Sequence, residues 1–296
     1  MSRLSANALL LLAAAIWGGA FVAQSNAMAH LGPGWFTGLR FLPALLVVAP
    51  MGVIEARRAA RPLARRDYLA LLPLGLSFGI ASLLQQVAIV TTSVTHVGFL
   101  TGLYVLFVPL IEIVVLRRRP HFLVLPAAAC AIAGTWFLGG GLDGLTTGDL
   151  LTIASAFGFA VQIILMDRFV RRTGRPVAAA LGQSLFGAAT GVLAGLGEPL
   201  SAGDVMAVLP ELLYAGALSG GVAYLLQAIG QQRTPPADAA VILMSEALFA
   251  ALFAAVLIGE RLSPAGWTGC ALLFLGLVIV QLGPLIMPRR VRPPES

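Results

Sequence analysis

The chain contains no lysine, and charge of either sign is scarce: 11% of its 296 residues are charged. A soluble domain of this length carries about 25%. That is too little charge to cover a water-facing surface, so an ordinary soluble fold is excluded. Cysteine is nearly absent. Cys130 and Cys270 both lie in apolar runs, which excludes a disulfide framework and fits small packing residues. The three histidines, His30, His96 and His121, do not share a helix with metal-ligand spacing, so no metal site is expected. There is no Walker A sequence and no HExxH, which argues against ATP-driven transport and zinc hydrolysis. No catalytic residue and no cofactor are expected.

What the chain has instead is apolar length: 58% of its residues are hydrophobic, with mean hydropathy +0.92. A transmembrane helix needs about 20 mostly apolar residues. Ten segments qualify: 6–28, 34–54, 68–90, 94–116, 121–140, 148–168, 176–196, 208–229, 237–258 and 264–286. Lipid leaves no backbone amide unpaired, so these runs must be helices. Arg3, the following apolar run and Ala27-Met28-Ala29 imitate a secretory signal. The run is long enough to span, however, and its partner near 150–168 cannot be a signal.

All 19 basic residues are arginine, and the net charge is +6. Their placement fits membrane orientation better than nucleic-acid binding. With the N-terminus inside, every arginine except Arg40 and Arg261 falls in an inner segment. The outer connections lean acidic, with Asp143, Asp149, Glu198, Asp204 and Glu260. The positive-inside rule then predicts cytoplasmic termini.

The sequence also repeats itself. Ser77-x-Gly79-x-Ala81-x-Leu83-Leu84-Gln85 recurs as Ser219-x-Gly221-x-Ala223-x-Leu225-Leu226-Gln227, at an offset of 142. Trp17-Gly18 aligns with Phe157-Gly158, and Pro33 with Pro176, which places Arg40 opposite Gln183. Five helices per copy is an odd number, so the copies are inverted. The expected fold class is an all-α integral membrane protein with ten transmembrane helices in two inverted five-helix repeats, 1–140 and 148–290. Inversion lets the halves exchange shapes, as alternating access requires.

Helical spacing puts Ser77, Ala81 and Gln85 on one face, and likewise Ser219, Ala223 and Gln227. Polar stripes in lipid face protein or a water-filled cavity. The expected cavity residues are Trp17, Gln85, Tyr104, Gln162, Tyr224, Gln227 and Glu246, with Gln24 and Gln86 as further polar candidates. Glu246 is placed near the middle of the ninth helix. Arg40 has three readings: it pairs with Glu246, contacts a solute carboxylate or snorkels outward. His96 is a candidate for the outer rim, and Tyr214 for an interfacial anchor. Small-xxx-small spacings, such as Gly98 and Gly102 or Gly187, Gly191 and Gly195, predict close helix packing.

Several strings resemble the drug/metabolite transporter superfamily of EamA type. Ala15-Ile16-Trp17-Gly18-Gly19-Ala20-Phe21 resembles its first-helix signature, Leu39-Arg40-Phe41-Leu42-Pro43-Ala44 its second and Glu246-Ala247-Leu248-Phe249-Ala250 its ninth. Gly259-Glu260-Arg261-Leu262 followed by Trp267-x-Gly269 resembles the junction into the last helix. Ala247 stands where the family has proline, and Arg117-Arg118-Arg119-Pro120 replaces the junction in the first half. The resemblance implies an exporter or exchanger with a cavity built by helices 1, 3, 4, 6, 8 and 9. Relatives move amino acids and drugs; others move sugar phosphates, nucleotide sugars or quaternary amines. The leading expectation is a bacterial inner-membrane exporter of small metabolites, amino acids foremost. The expected partners are a small-molecule substrate and the lipid bilayer, without nucleic acid; a monomer is compatible with this. The alternative from another class is a polytopic membrane enzyme, which would need acids or histidines clustered at a membrane face.

Overall fold

In a computed structural model of the chain, the described residues are 1–92, 94–118, 120–139, 146–257 and 263–286. The side chains at 94–96, 138–139, 251, 254–257 and 281–286 fall outside that description. The helices are α1 (Arg3–Ala27), α2 (Pro33–Arg58), α3 (Arg65–Thr91), α4 (Val94–Thr101), α5 (Tyr104–Val114), α6 (Val124–Gly139) and α7 (Thr147–Thr173). They continue as α8 (Pro176–Gly195), α9 (Ala202–Ala207), α10 (Leu209–Leu213), a π-helical stretch (Tyr214–Ala223), α11 (Tyr224–Gly230), α12 (Pro236–Leu243), α13 (Glu246–Leu257) and α14 (Pro264–Ile286). No strand occurs among the described residues. Apart from the short connecting helix α9, these elements make up the ten expected spans.

Three spans differ from the expectation of uninterrupted helices. The fourth breaks between α4 and α5, and the ninth between α12 and α13. Gly102 and Met244, related by the 142-residue offset, occupy these breaks and touch: a Cβ on Gly102 would lie 2.6 Å from Met244 Cε. In the ninth span the Ser245 hydroxyl donates to the Ile242 carbonyl at 2.6 Å, serving an oxygen at the end of α12. The eighth span widens into π-helix through the glycine-rich Tyr214–Ala223. Its repeat mate α3 runs unbroken across Ser77–Gln85.

The second and seventh spans, α2 and α8, show the inverted symmetry most plainly. Each starts with proline, Pro33 and Pro176, where a missing N–H costs nothing. The Glu198 carboxylate, just past the end of α8, accepts from the Gly34 and Trp35 amides of α2 at 2.9 and 3.0 Å. The Glu55 carboxylate, near the end of α2, accepts from the Val177 and Ala178 amides of α8 at 2.9 and 3.1 Å. Glu55 and Glu198 are themselves related by the Pro33–Pro176 offset. Each helix therefore caps the free N–H groups at the start of the other.

Between the caps, glycines allow close contact. A Cβ on Gly191 would strike the Gly38 backbone, and one on Gly34 would lie 2.5 Å from the Gly195 nitrogen. Gly187 packs on Phe41, and Gly75 on Phe186. Gly98 differs, with nothing within 4 Å of its Cβ position. In the outer layer α6 meets α14, where Gly134 abuts the Gly269 carbonyl.

Candidate functional site

The spans enclose one central cavity. Trp17, Gln24, Arg40, Gln85, Thr101, Tyr104, Phe159, Gln162, Ser219, Tyr224, Gln227, Leu243 and Glu246 are among its lining residues. The empty space among its lining atoms, including the part open to solvent, is about 580 Å³. All seven expected cavity residues and Arg40 line it. They come from both halves and from distant parts of the chain.

The helix breaks position the charged end. Tyr104 and Glu246 are the first residues of α5 and α13, and the repeat offset relates them. Glu246 is thus not mid-helix as expected. It sits where a carboxylate faces the positive end of a helix dipole, an arrangement that offsets part of its burial cost. The Tyr104 hydroxyl donates to Glu246 Oε1 at 3.4 Å. Leu243, the last residue of α12, also lines the cavity, so a half-helix C-terminus lies beside the carboxylate.

An aromatic wall flanks that end. Trp17 and Tyr224 pack with ring centroids 4.6 Å apart, and Tyr224 meets Phe78 edge-on at 4.7 Å. The Trp17 indole donates to the Ser219 carbonyl at 3.2 Å, inside the π-helical stretch. Such widenings displace backbone carbonyls from regular α-helical positions and recur at functional sites.

The amides form a second group. Gln162 Nε2 donates to Gln183 Oε1 at 2.9 Å and to Gln227 Oε1 at 3.3 Å. Gln227 Nε2 returns a bond to Gln162 Oε1 at 3.4 Å. Gln85 Nε2 donates to the Thr101 hydroxyl at 2.9 Å. Gln85, Gln162 and Gln227 therefore line the cavity and tie helices together at once.

Arg40 overturns two of its three readings. Only 5% of its surface is exposed, so it does not snorkel. It makes no ion pair with Glu246; its Nη1 donates to Gln24 Oε1 at 2.7 Å. Its guanidinium also lies 5.0 Å from the Phe41 ring centroid and 5.9 Å from that of Phe36.

Other expectations are corrected too. Ser77 does not line the cavity; its hydroxyl donates to the Leu74 carbonyl at 3.0 Å. Gly75-Leu76-Ser77-Phe78-Gly79 spells a hydrolase nucleophile string, yet it lies inside α3 and lacks the strand-to-turn context such a serine needs. Gln86 is not among the lining residues; its Nε2 donates to the Gln24 carbonyl at 3.3 Å. The Tyr214 hydroxyl donates to the Ile16 carbonyl at 2.9 Å. The side chain of His96 lies outside that description. Thr101 was missed because only the fold brings it to Gln85. Among the described residues no group of His, Cys, Asp and Glu could hold a metal ion.

A polytopic helical bundle with a polar cavity between two inverted halves defines a membrane transporter. The EamA-like transporter family model matches residues 4–140 and again 146–282, so the chain belongs to that family. An "uncharacterized transporter" of Archaeoglobus fulgidus is 29% identical over 290 residues, covering 95% of this chain and 87% of its own. The "uncharacterized transporter YwfM" of Bacillus subtilis is 29% identical over 179 residues, covering 59% of this chain and 60% of its own. A solved crystal structure shares the fold with TM-score 0.76 at 22% identity, covering 95% of this chain and 99% of its own.

Proposed function

We propose that the protein exports small metabolites, amino acids foremost, across the bacterial inner membrane by alternating access, with both termini cytoplasmic. Transport, rather than catalysis, is its role. The observation that carries the substrate class is Glu246, a buried carboxylate on the cavity wall. A buried carboxylate is costly unless a cation or donors meet it, and among the described residues it is met by one long hydrogen bond, from the Tyr104 hydroxyl. A solute ammonium supplies the missing charge. The end of α12 offers it backbone carbonyls, as broken helices do for cations in other transporters. Trp17 and Tyr224 then flank the solute's apolar part and add a cation–π contribution.

Purified protein in liposomes should exchange radiolabelled amino acids, and Glu246→Gln should abolish the exchange while the protein stays folded. Flux of another metabolite class, with none for any amino acid, would reject this substrate assignment. Arginine placement supports the orientation. Tags at both termini should react only from the cytoplasmic side of intact cells.

A further inference from the structure

Among the described residues, the cavity's one guanidinium makes no ion pair. Arg40 is buried, lines the cavity and makes no ion pair among the described residues. Its Nε is buried with no hydrogen-bond partner. The neutral Gln24 oxygen and the ring faces of Phe36 and Phe41 hold the group in place, but neither neutralises it. A buried cation in that condition calls for an anion.

The repeat indicates whether the charge is needed for structure. Arg40 on α2 bonds Gln24 on α1; its repeat mate Gln183 on α8 bonds Gln162 on α7 at 2.9 Å. Each half therefore ties its first two spans together through these mates, once with a cation and once with an amide, although Gln24 and Gln162 lie two residues out of register. Holding the helices together does not require the charge. The charge is particular to this half and to this cavity.

We propose that Arg40 recognises an anionic group of the transported solute, and that Gln24 is its positioning residue. On the amino-acid reading of the preceding subsection, on which this rests for the identity of the anion, the group is the α-carboxylate. The solute then lies with its carboxylate at Arg40 and its ammonium at Glu246. Arginine suits this task because its planar fork meets a carboxylate through two donors. The cavity thus selects by charge at both ends, which an amine or a simple acid satisfies only by half.

Three compounds separate the ends: phenylalanine, 2-phenylethylamine without the carboxylate, and 3-phenylpropionate without the ammonium. Flux in proteoliposomes and thermal stabilisation are measured for each with wild type, Arg40→Gln and Gln24→Glu. Gln24→Glu keeps size and an acceptor but gives the guanidinium an internal carboxylate. It should raise KM for phenylalanine on the order of tenfold to a hundredfold, and weaken 3-phenylpropionate alike, without raising KM for the amine. Arg40→Gln should show the same selectivity.

A merely structural arginine predicts otherwise: Gln24→Glu would tighten the tie and leave KM unchanged. That result overturns the proposal, as does equal loss of amine and amino acid in Arg40→Gln. It also falls if no anionic solute binds the wild type better than both variants. If the wild type moves a phosphate ester instead of amino acids, and both variants lose it, the amino-acid reading fails and the assignment of Arg40 stands.

Discussion

Removing the reciprocal caps tests whether α2 and α8 are clamped at both ends. Glu198→Ala frees the Gly34 and Trp35 amides, which now bond the carboxylate at 2.9 and 3.0 Å. Loss of a cap and of its favourable charge at a helix start costs about 2 kcal/mol at a half-exposed site. Glu55→Ala frees the Val177 and Ala178 amides and also strands Arg175, whose Nε donates to Glu55 at 3.1 Å. The Arg175 side chain is only 10% exposed, so about 1 kcal/mol more is expected there. Thermal unfolding in detergent should rank wild type, then Glu198→Ala, then Glu55→Ala. The first step should be about 4–8 °C. Gln at either position keeps an acceptor and should cost about half as much. The caps sit at opposite ends of a helix roughly 30 Å long, so the double variant should cost the sum. A Glu198→Ala protein that melts with the wild type would show that headgroup water replaces the cap.

The other tests follow from single contacts. Gly191→Ala forces α2 from α8 and should cost about 1–3 kcal/mol, read as a lower melting temperature. Gly98→Ala, where nothing lies within 4 Å, should stay within about 0.5 kcal/mol of wild type. Tyr104→Phe removes a 3.4 Å bond and should change substrate KM while barely moving stability. A large melting shift would mark Tyr104 as structural.

Much of the architecture was legible because lipid enforces it. Apolar runs, arginine placement and the 142-residue repeat depend on local composition and counting. The cavity residues were legible for a related reason: a polar side chain in an apolar span must face something polar. The helix breaks were not. Gly102 and Met244 look like ordinary members of apolar runs, and only their contact across the symmetry axis marks them. The widening at Tyr214–Ala223 was also hidden, since the same spacing in α3 stays α-helical. Two of the three readings of Arg40 fell, the pairing among them, which rested on Glu246 being its nearest apparent partner by charge. The Arg40 bond to Gln24 depends on how α1 and α2 lean together.

The pair Tyr104 and Glu246 shows how duplication produces a directional site. The inverted repeat places both at the start of a half-helix and lets them bond to each other. Were both tyrosine, the cavity would hold no anion there. Were both glutamate, two carboxylates would share one buried place, and their repulsion would keep one protonated. One of each gives a single carboxyl group with a neutral donor beside it. Arg40 and Gln183 repeat that division with the opposite sign: the charge sits in the first half and the amide in the second. The backbone is therefore nearly symmetric while the charge is not. On the transport cycle proposed above, similar halves would allow two states of comparable energy, and the unequal side chains would give a bound solute one preferred orientation. Moving the charges across the repeat tests this. Tyr104→Glu with Glu246→Tyr should preserve the pair and its bond, yet change which solutes compete, because the carboxylate's position relative to Arg40 has changed. If the swapped protein keeps the wild-type ranking of phenylalanine over 2-phenylethylamine, the distance between the two charges does not set selectivity.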